Sequence, residues 1–190
     1  VFWKFIKEKS NNQSLYLEYY SKDMEEGFPG NLIVGVEYSL NDFNELKIKY
    51  TASTDKKTII NLTQHSYFNL SGESSGDILD HILNIDADYY LPVNENMIPN
   101  GPYEKVESTP FDFNYPKKIG LDIFVNDIQL EKGKGYDHCF VLNNHNGKLK
   151  KIGSVESPKT GIKMYIITDQ PGLQLYTGNF LDGSLESKDK

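Results

Sequence analysis

Residues 31–40 read Asn-Leu-Ile-Val-Gly-Val-Glu-Tyr-Ser-Leu, and residues 45–54 read Glu-Leu-Lys-Ile-Lys-Tyr-Thr-Ala-Ser-Thr. Apolar side chains take every second position of both runs, at Leu32, Val34, Val36, Tyr38 and Leu40 and again at Leu46, Ile48, Tyr50 and Ala52. Alternation with a period of two predicts half-buried strands. Residues 41–44 between the runs, Asn-Asp-Phe-Asn, are typical of a turn. The two runs therefore predict an antiparallel β-hairpin.

The rest of the chain predicts more short strands separated by turn signals. Further strands are predicted at 15–20, 58–62, 138–142, 149–157, 161–168 and 173–176, and one helix at 119–130. The Asn-Asn-His-Asn-Gly run at 143–147 is predicted to be a hairpin turn, because Asn and Gly tolerate positive φ. The polar run at 184–190 is predicted to fray. Many short strands with little helix predict an all-β chain, an antiparallel β-sandwich, forming one domain over residues 1–190.

Charge and composition disfavour several classes of partner. The net charge of -7 disfavours nucleic acid and anionic membrane surfaces. No apolar run approaches the ~20 residues that span a bilayer. The single cysteine, Cys139, permits no intrachain disulfide, which fits a reducing compartment and predicts a cytoplasmic protein. An inert thiol entering a strand is favoured over a Cys nucleophile, and no Cys or His spacing predicts a metal site.

Residues 61–72, Asn-Leu-Thr-Gln-His-Ser-Tyr-Phe-Asn-Leu-Ser-Gly, follow the β-branched run at 58–60 and are rich in side chains that can form hydrogen bonds. They are predicted to leave the strand at 58–62 and to end in a turn at Ser71-Gly72. Leu62, Phe68 and Leu70 are expected to anchor the stretch in a core. His65 lies among hydroxyls and amides, where an imidazole could transfer a proton near neutral pH. A structural, hydrogen-bonded histidine remains the alternative on local grounds.

Two further polar clusters lie at predicted strand ends, where loops display functional groups on a rigid frame. In the first, at 135–138, Asp137 could accept hydrogen bonds from sugar hydroxyls, or it could cap an Asx-turn. In the second, at 170–180, Gln174 could bond hydroxyls through its amide, or it could simply face outward from a strand. Nothing in the chain matches a phosphate-binding glycine loop or a Gly-x-Ser-x-Gly elbow.

Six segments together resemble one family, the aldose 1-epimerases or galactose mutarotases, and they occur in the family's order. These segments are 25–30, 50–56, 61–72, 109–113, 135–138 and 170–183. The resemblance implies a galactose mutarotase-like supersandwich that interconverts the α- and β-anomers of hexoses such as galactose and glucose. It implies no metal and no organic cofactor. The implied partner is a small hexose, neither nucleic acid nor membrane, and we expect a monomer or weak dimer.

The same resemblance assigns roles to individual residues. His65 would be the acid that protonates the ring oxygen, while Ser66, Tyr67, Asp137 and Gln174 would line the substrate site. The Glu base of the family lies in a segment after residues 177–183, and Glu186 is too close to that motif to be it. An Asn-Arg pair and a His-Gly-Gly segment of the family precede the position of Val1. The resemblance thus covers the central part of the family pattern without its two ends, and we expect these residues alone to be weak or inactive.

Two alternatives stay open. A non-catalytic carbohydrate-binding β-sandwich would keep Asp137 and Gln174 but would lack the Glu base. A relative that acts on sugar phosphates would need Arg or Lys near the site to hold the phosphate, and the segments named above offer few of either.

Overall fold

The computed structural model describes residues 1–181 and residue 184, and it divides into two compact units. The first unit runs from Val1 to Tyr67 and the second begins at Phe68. The prediction of one domain over residues 1–190 concerns how these units combine, and it stays a prediction. No helix among the described residues has the length and apolar character needed to cross a membrane.

The first unit is one antiparallel sheet built around the predicted hairpin. Its strands are β1 (Lys4–Phe5), β2 (Ser14–Ser21), β3 (Leu32–Leu40) and β4 (Leu46–Thr54), in the order β1-β2-β3-β4. Short 3-10 helices lie at Lys7–Lys9 and Glu25–Gly27. β3 pairs with β4 from Leu32 opposite Thr54 to Leu40 opposite Leu46, which confirms the hairpin. The strand predicted at 15–20 is likewise confirmed as β2.

The pairing places the alternating apolar positions on one face of this sheet. Leu17, Val36 and Tyr50 lie opposite one another across β2, β3 and β4. Val34 and Val36, in the middle of the face, are buried. The opposite face carries the lysines of β4 at positions 47 and 49, which lie across from Ser39 and Glu37. In the middle of β4, burial follows this period, since Ile48 and Tyr50 are half-buried and the lysines beside them are exposed. Toward the strand ends it does not, since Leu40, Leu46 and Ala52 are exposed.

The strand predicted at 58–62 is wrong. Residues 57–69 have no strand pairing in the described structure. Ile59 is 75% exposed and Ile60 is 44% exposed, so the β-branched run has little to pack against. β-branched residues favour strands because they pack well on a half-buried sheet surface, and residues 58–60 have no such surface to pack on.

The second unit consists of two four-stranded antiparallel sheets around one core. The strands are β5 (Ile82–Ile85), β6 (Tyr89–Tyr90), β7 (Glu104–Lys105), β8 (Lys117–Lys118), β9 (Asp137–Val141), β10 (Lys150–Glu156), β11 (Lys163–Thr168) and β12 (Gly172–Tyr176). The first sheet has the order β11-β10-β5-β8 and the second the order β12-β9-β6-β7. The predicted strands near 138–142, 149–157, 161–168 and 173–176 are all present. The predicted antiparallel all-β fold is confirmed.

The core of the second unit joins both sheets. β5 contributes Leu83 and Ile85, and β9 contributes Phe140. Loops contribute the two fully buried aromatics Phe111 and Phe113, which lie between Pro110 and Pro116. The ring of Phe111 stacks on that of Tyr90 with a centroid distance of 4.3 Å. Side chains from both sheets and from the loops thus fill one interior, as expected of a sandwich.

Two predictions in this unit are wrong. In place of a helix over 119–130, the chain forms a 3-10 turn at Ile119–Leu121 and the helix α1 at Ile128–Gly133. The carboxylate of Asp127 accepts hydrogen bonds from the amides of Gln129 and Leu130, so this residue caps the helix and fixes its start. The 143–147 run is not a hairpin turn, because the flanking strands β9 and β10 belong to different sheets.

Candidate active site

The exposed imidazole of His65 lies in the first unit, in the extended stretch that follows β4. Its ring and the exposed ring of Tyr67 are 5.2 Å apart, tilted by 48°. Ser66 between them is exposed as well. The hydroxyl of Tyr50 on β4 donates a hydrogen bond of 2.8 Å to the carbonyl of Thr63, which ties the stretch to the sheet. The predicted cluster of proton donor, hydroxyl and aromatic ring is thus open to solvent.

The end of the 61–72 segment is anchored in the second unit by hydrogen bonds rather than by a packed core. The amide of Leu70 donates to Nε2 of the buried His81 at 3.0 Å. The Thr160 hydroxyl donates to the Leu70 carbonyl at 2.7 Å, and the Ser71 and Ser157 hydroxyls are 2.8 Å apart. The expectation that Phe68 anchors the segment is wrong, since its ring is 47% exposed.

Asp137 and Gln174 meet on adjacent strands of the second unit. In the pairing of β9 with β12, Asp137 lies opposite Tyr176 and Cys139 opposite Gln174. This register places Asp137 and Gln174 diagonally on the same face of the sheet. The amide Nε2 of Gln174 donates to the Asp137 carboxylate at 2.7 Å. The opposite face of β9 carries His138 and Phe140, which are buried. The pair therefore forms a carboxylate–amide group on the solvent side of a rigid sheet.

The residues after β12 hold the loop that leads into Asp137. The side-chain amide of Asn179 donates to the carbonyls of Gly133 and Tyr136, each at 2.8 Å. The amide of Tyr136 donates to the Thr177 hydroxyl at 3.2 Å. Gly135 has φ +132°, and a Cβ there would lie 2.5 Å from the Asn179 side-chain oxygen. The two polar clusters at 135–138 and 170–180 thus contact each other directly, and glycine is required where they meet.

His138 is a member of the site region whose role was missed in the sequence. It is fully buried, with its ring edge-on to Phe111 at 4.7 Å. Its Nδ1 lies 3.2 Å from the amide nitrogen of Asp137, and its Nε2 lies 3.2 Å from Oε1 of Gln129. Burial lowers the pKa of the imidazole to about 4, so the ring is neutral at pH 7. The burial of His138 could have been predicted from the alternation of side chains along β9, which places it on the same face as Phe140.

The surroundings of Cys139 agree with the prediction of an inert thiol. The thiol of Cys139 is half-buried, and burial raises its pKa, which disfavours the reactive thiolate. Within residues 1–181 and residue 184, no group of three or more His, Cys, Asp or Glu side chains is placed to hold a metal ion.

The structure brings some of the predicted site residues together in pairs. Asp137 bonds Gln174 within the second unit, and His65 adjoins Tyr67 within the first. Ser66 lies between His65 and Tyr67 in the chain. The catalytic role of His65 and the substrate-binding roles of the other four stay predictions.

The antiparallel sheets of the two units define an all-β protein. Within that class, the chain belongs to the aldose 1-epimerase family, whose model matches residues 1–190. It is 45% identical over 168 residues to galactose mutarotase of Rattus norvegicus, covering 88% of this chain and 47% of the relative. It is 40% identical over 182 residues to aldose 1-epimerase of Escherichia coli K12, covering 96% and 51%.

A solved structure has the same fold. The galactose 1-epimerase of Lactobacillus acidophilus NCFM superposes with a TM-score of 0.82 at 32% identity, over 96% of this chain and 52% of the other. The chain thus spans about half the length of the relatives that it matches. The resemblance seen in the sequence is confirmed at the level of the family.

Proposed function

We propose that this chain contributes the acid and the hydroxyl-binding groups of an aldose 1-epimerase that interconverts the α- and β-anomers of hexoses. The observation that carries the proposal is the 2.7 Å contact between the Gln174 amide and the Asp137 carboxylate on the solvent face of β9 and β12. A carboxylate accepts hydrogen bonds from sugar hydroxyls, and an amide can both donate and accept them. Membership of the aldose 1-epimerase family supports the assignment.

In the proposed reaction, His65 in its imidazolium form gives a proton to the ring oxygen of the bound pyranose. A base removes the proton of the C1 hydroxyl, the C1–O5 bond breaks, and the free aldehyde forms. After rotation about the C1–C2 bond, the ring closes on the other face of C1 and both protons return. General acid–base catalysis of this kind contributes a factor of about 10²–10⁴ per group.

Substrate binding is proposed for four residues, two in each unit. Asp137 and Gln174 in the second unit are proposed to bond hydroxyls, and Ser66 and Tyr67, which directly follow His65 in the chain, are proposed to contact the substrate from the first unit. The ring of Tyr67 offers an apolar face on which the C–H groups of a sugar can pack. The base is proposed to come from the family segment that follows residues 177–183. We further propose that the protein works in the cytoplasm as a monomer or weak dimer.

A binding module without turnover is not favoured, since the chain matches aldose 1-epimerases in sequence and in structure. The discriminating experiment combines polarimetry and calorimetry. Mutarotation of α-D-glucose and α-D-galactose is followed with the 190-residue chain, and galactose binding is titrated in parallel. We expect measurable galactose binding with weak acceleration. His65→Ala should abolish the acceleration and spare binding, whereas Asp137→Ala should weaken binding about tenfold or more, as loss of a charge-assisted bond does.

His145→Ala is the matched control, because His145 is an exposed histidine in a loop of the second unit. It should change neither quantity. Acceleration that persists at the parent level in His65→Ala would refute the role of His65. Unchanged galactose binding in Asp137→Ala would refute the role of the carboxylate–amide pair.

A further inference from the structure

His138 is adjacent to Asp137 in the chain, yet its side chain points to the other side of the sheet. The imidazole is fully buried, with the rings of Phe111 and Tyr90 edge-on to it at 4.7 and 5.9 Å. Gly133 makes room for it, since a Cβ at that position would lie 3.3 Å from Cε1 of the imidazole. A polar ring held this tightly in an aromatic interior needs partners for both nitrogens.

The hydrogen bonds around the ring define one tautomer. The backbone N–H of Asp137 can only donate, so Nδ1 of His138, 3.2 Å away, is the acceptor. The Gln129 amide is oriented by Val93, since Oε1 accepts from the Val93 N–H at 2.8 Å and Nε2 donates to the Val93 carbonyl at 3.2 Å. The atom 3.2 Å from Nε2 of His138 is therefore an oxygen, and Nε2 carries the hydrogen.

These contacts form one chain of hydrogen bonds from the buried interior to the start of β9. The helix α1 supplies Gln129, and the cap at Asp127 fixes the start of that helix. At the other end of the chain, the bond to Nδ1 is made by the backbone of the residue whose carboxylate accepts from Gln174. The orientation of this peptide group determines where the Asp137 side chain leaves the sheet.

We propose that His138 is a positioning residue for Asp137. Its neutral imidazole, fixed by Gln129, holds the Asp137 peptide so that the carboxylate faces the Gln174 amide. This inference rests on the proposed function, because the pair matters for sugars only if it binds their hydroxyls. No direct contact of His138 with substrate is involved.

The test compares two substitutions of His138, each of which preserves the hydrogen bond of one ring nitrogen and removes that of the other. In His138→Asn, Oδ1 occupies the place of Nδ1 and can still accept from the Asp137 N–H. In His138→Gln, Nε2 takes over the bond to Gln129, and the acceptor for Asp137 is lost. Both leave space in the core and should lower the thermal midpoint by similar amounts. Only His138→Asn should keep the Asp137 carboxylate in place beside the Gln174 amide.

The reporter is the side-chain amide of Gln174, observed by ¹H–¹⁵N NMR in the full 190-residue chain. We expect its two proton signals to stay at their native positions in His138→Asn. In His138→Gln they should shift toward the positions seen in Asp137→Ala. Galactose affinity should fall about fivefold in His138→Gln, as for loss of one aligned hydrogen bond, and less than twofold in His138→Asn. Equal behaviour of the two variants would overturn the proposal.

His81→Gln is the matched control. His81 is also buried, and its Nε2 accepts from a backbone amide, that of Leu70, at 3.0 Å. This variant should lose stability without shifting the Gln174 signals; a shift as large as that in His138→Gln would count against a specific role for His138.

A measurement on the unaltered chain makes the test independent of how the variants fold. Long-range ¹H–¹⁵N correlation of the His138 ring should show the neutral tautomer with hydrogen on Nε2. Hydrogen on Nδ1 at pH 7 would overturn the proposal. If the unaltered chain binds no galactose, the proposed function fails for these residues, while the Gln174 signals and the tautomer still decide the positioning role.

Discussion

The four histidines of the chain occupy two kinds of surroundings. His65 and His145 are exposed, whereas His81 and His138 are 2% and 0% exposed. All four lie in polar or mixed sequence, so residue type alone separates none of them. Side chains alternate along β9, so the sequence could have placed His138 on the buried face with Phe140. Nothing in residues 77–81, however, predicts that the backbone amide of Leu70 donates to His81. A catalytic role for His65 could be proposed from its motif and stays a prediction, whereas the long-range hydrogen bonds of His81 and His138 could not be predicted.

Burial of His138 predicts a stability that depends on pH below neutrality. The pKa is lowered to about 4 in the folded state and lies near 6.5 in the unfolded chain. The unfolded state therefore binds more protons between these values, and stability falls as the pH falls from about 6.5 toward 4. Desolvation also lowers the pKa of His81, which acts in the same direction. From pH 7 to 5, His138 alone should cost about 2 kcal/mol of unfolding free energy.

Urea denaturation at pH 7 and at pH 5 measures this effect. His138→Asn should reduce the difference between the two pH values by most of that amount, and His145→Asn should leave it as it is. A pH dependence that is the same in His138→Asn and in the parent chain would show that the imidazole titrates alike in both states.

At the scale of elements, alternation predicted strands wherever the sheet offered a half-buried surface. β2, β3, β4, β10 and β11 lie where their patterns place them. The pattern failed at 58–62, where β-branched residues have no such surface, and at 119–130, where spacing favoured a helix that the chain does not form. The boundary there is set by one side chain, the cap Asp127, which starts α1 at Ile128. A propensity summed over a window cannot detect a boundary that depends on a single hydrogen-bonding residue.

The Asp127 cap predicts a measurable contribution to the second unit. Asp127→Ala removes the acceptor for the amides of Gln129 and Leu130, which lie at 2.8 and 3.2 Å from Oδ1. We expect a loss of about 1 kcal/mol in unfolding free energy. Asp42→Ala is the control, because Asp42 lies in the exposed turn between β3 and β4 and caps no helix. An equal effect of the two substitutions in urea denaturation would rule out a specific contribution of the cap.

At the scale of the molecule, the all-β architecture followed from the sequence, but the filling of the core did not. Phe111 and Phe113 lie in a loop with prolines on either side, yet both are fully buried and contact the ring of Tyr136. Patterns of strand or helix cannot identify such residues, because a loop has no periodicity from which burial could be deduced. The division into two compact units after Tyr67 is not visible in the sequence either, since no change in composition marks it.

Phe111 should therefore be among the most costly positions to truncate. It contacts the rings of Tyr90, Tyr136 and His138. Phe111→Ala should lower the unfolding free energy by about 3–5 kcal/mol through lost burial and the cavity left behind. Phe43→Ala, at a position that is 84% exposed, should change it by less than about 0.5 kcal/mol. Calorimetric melting of both variants gives the comparison, and a small loss in Phe111→Ala would mean that the core closes around the gap.

The half-buried thiol of Cys139 has a practical consequence. It is the chain's sole cysteine, it lies opposite Gln174 in the pairing of β9 and β12, and a Cβ on Gly172 would lie 2.9 Å from its sulfur. An alkylating reagent needs both access and a thiolate, so the rate of modification should follow transient separation of these two strands. Pulse alkylation of Cys139, read by mass spectrometry, would then measure how often the two strands that carry the Asp137–Gln174 pair separate. A sugar that binds across the two strands should lower the alkylation rate of Cys139.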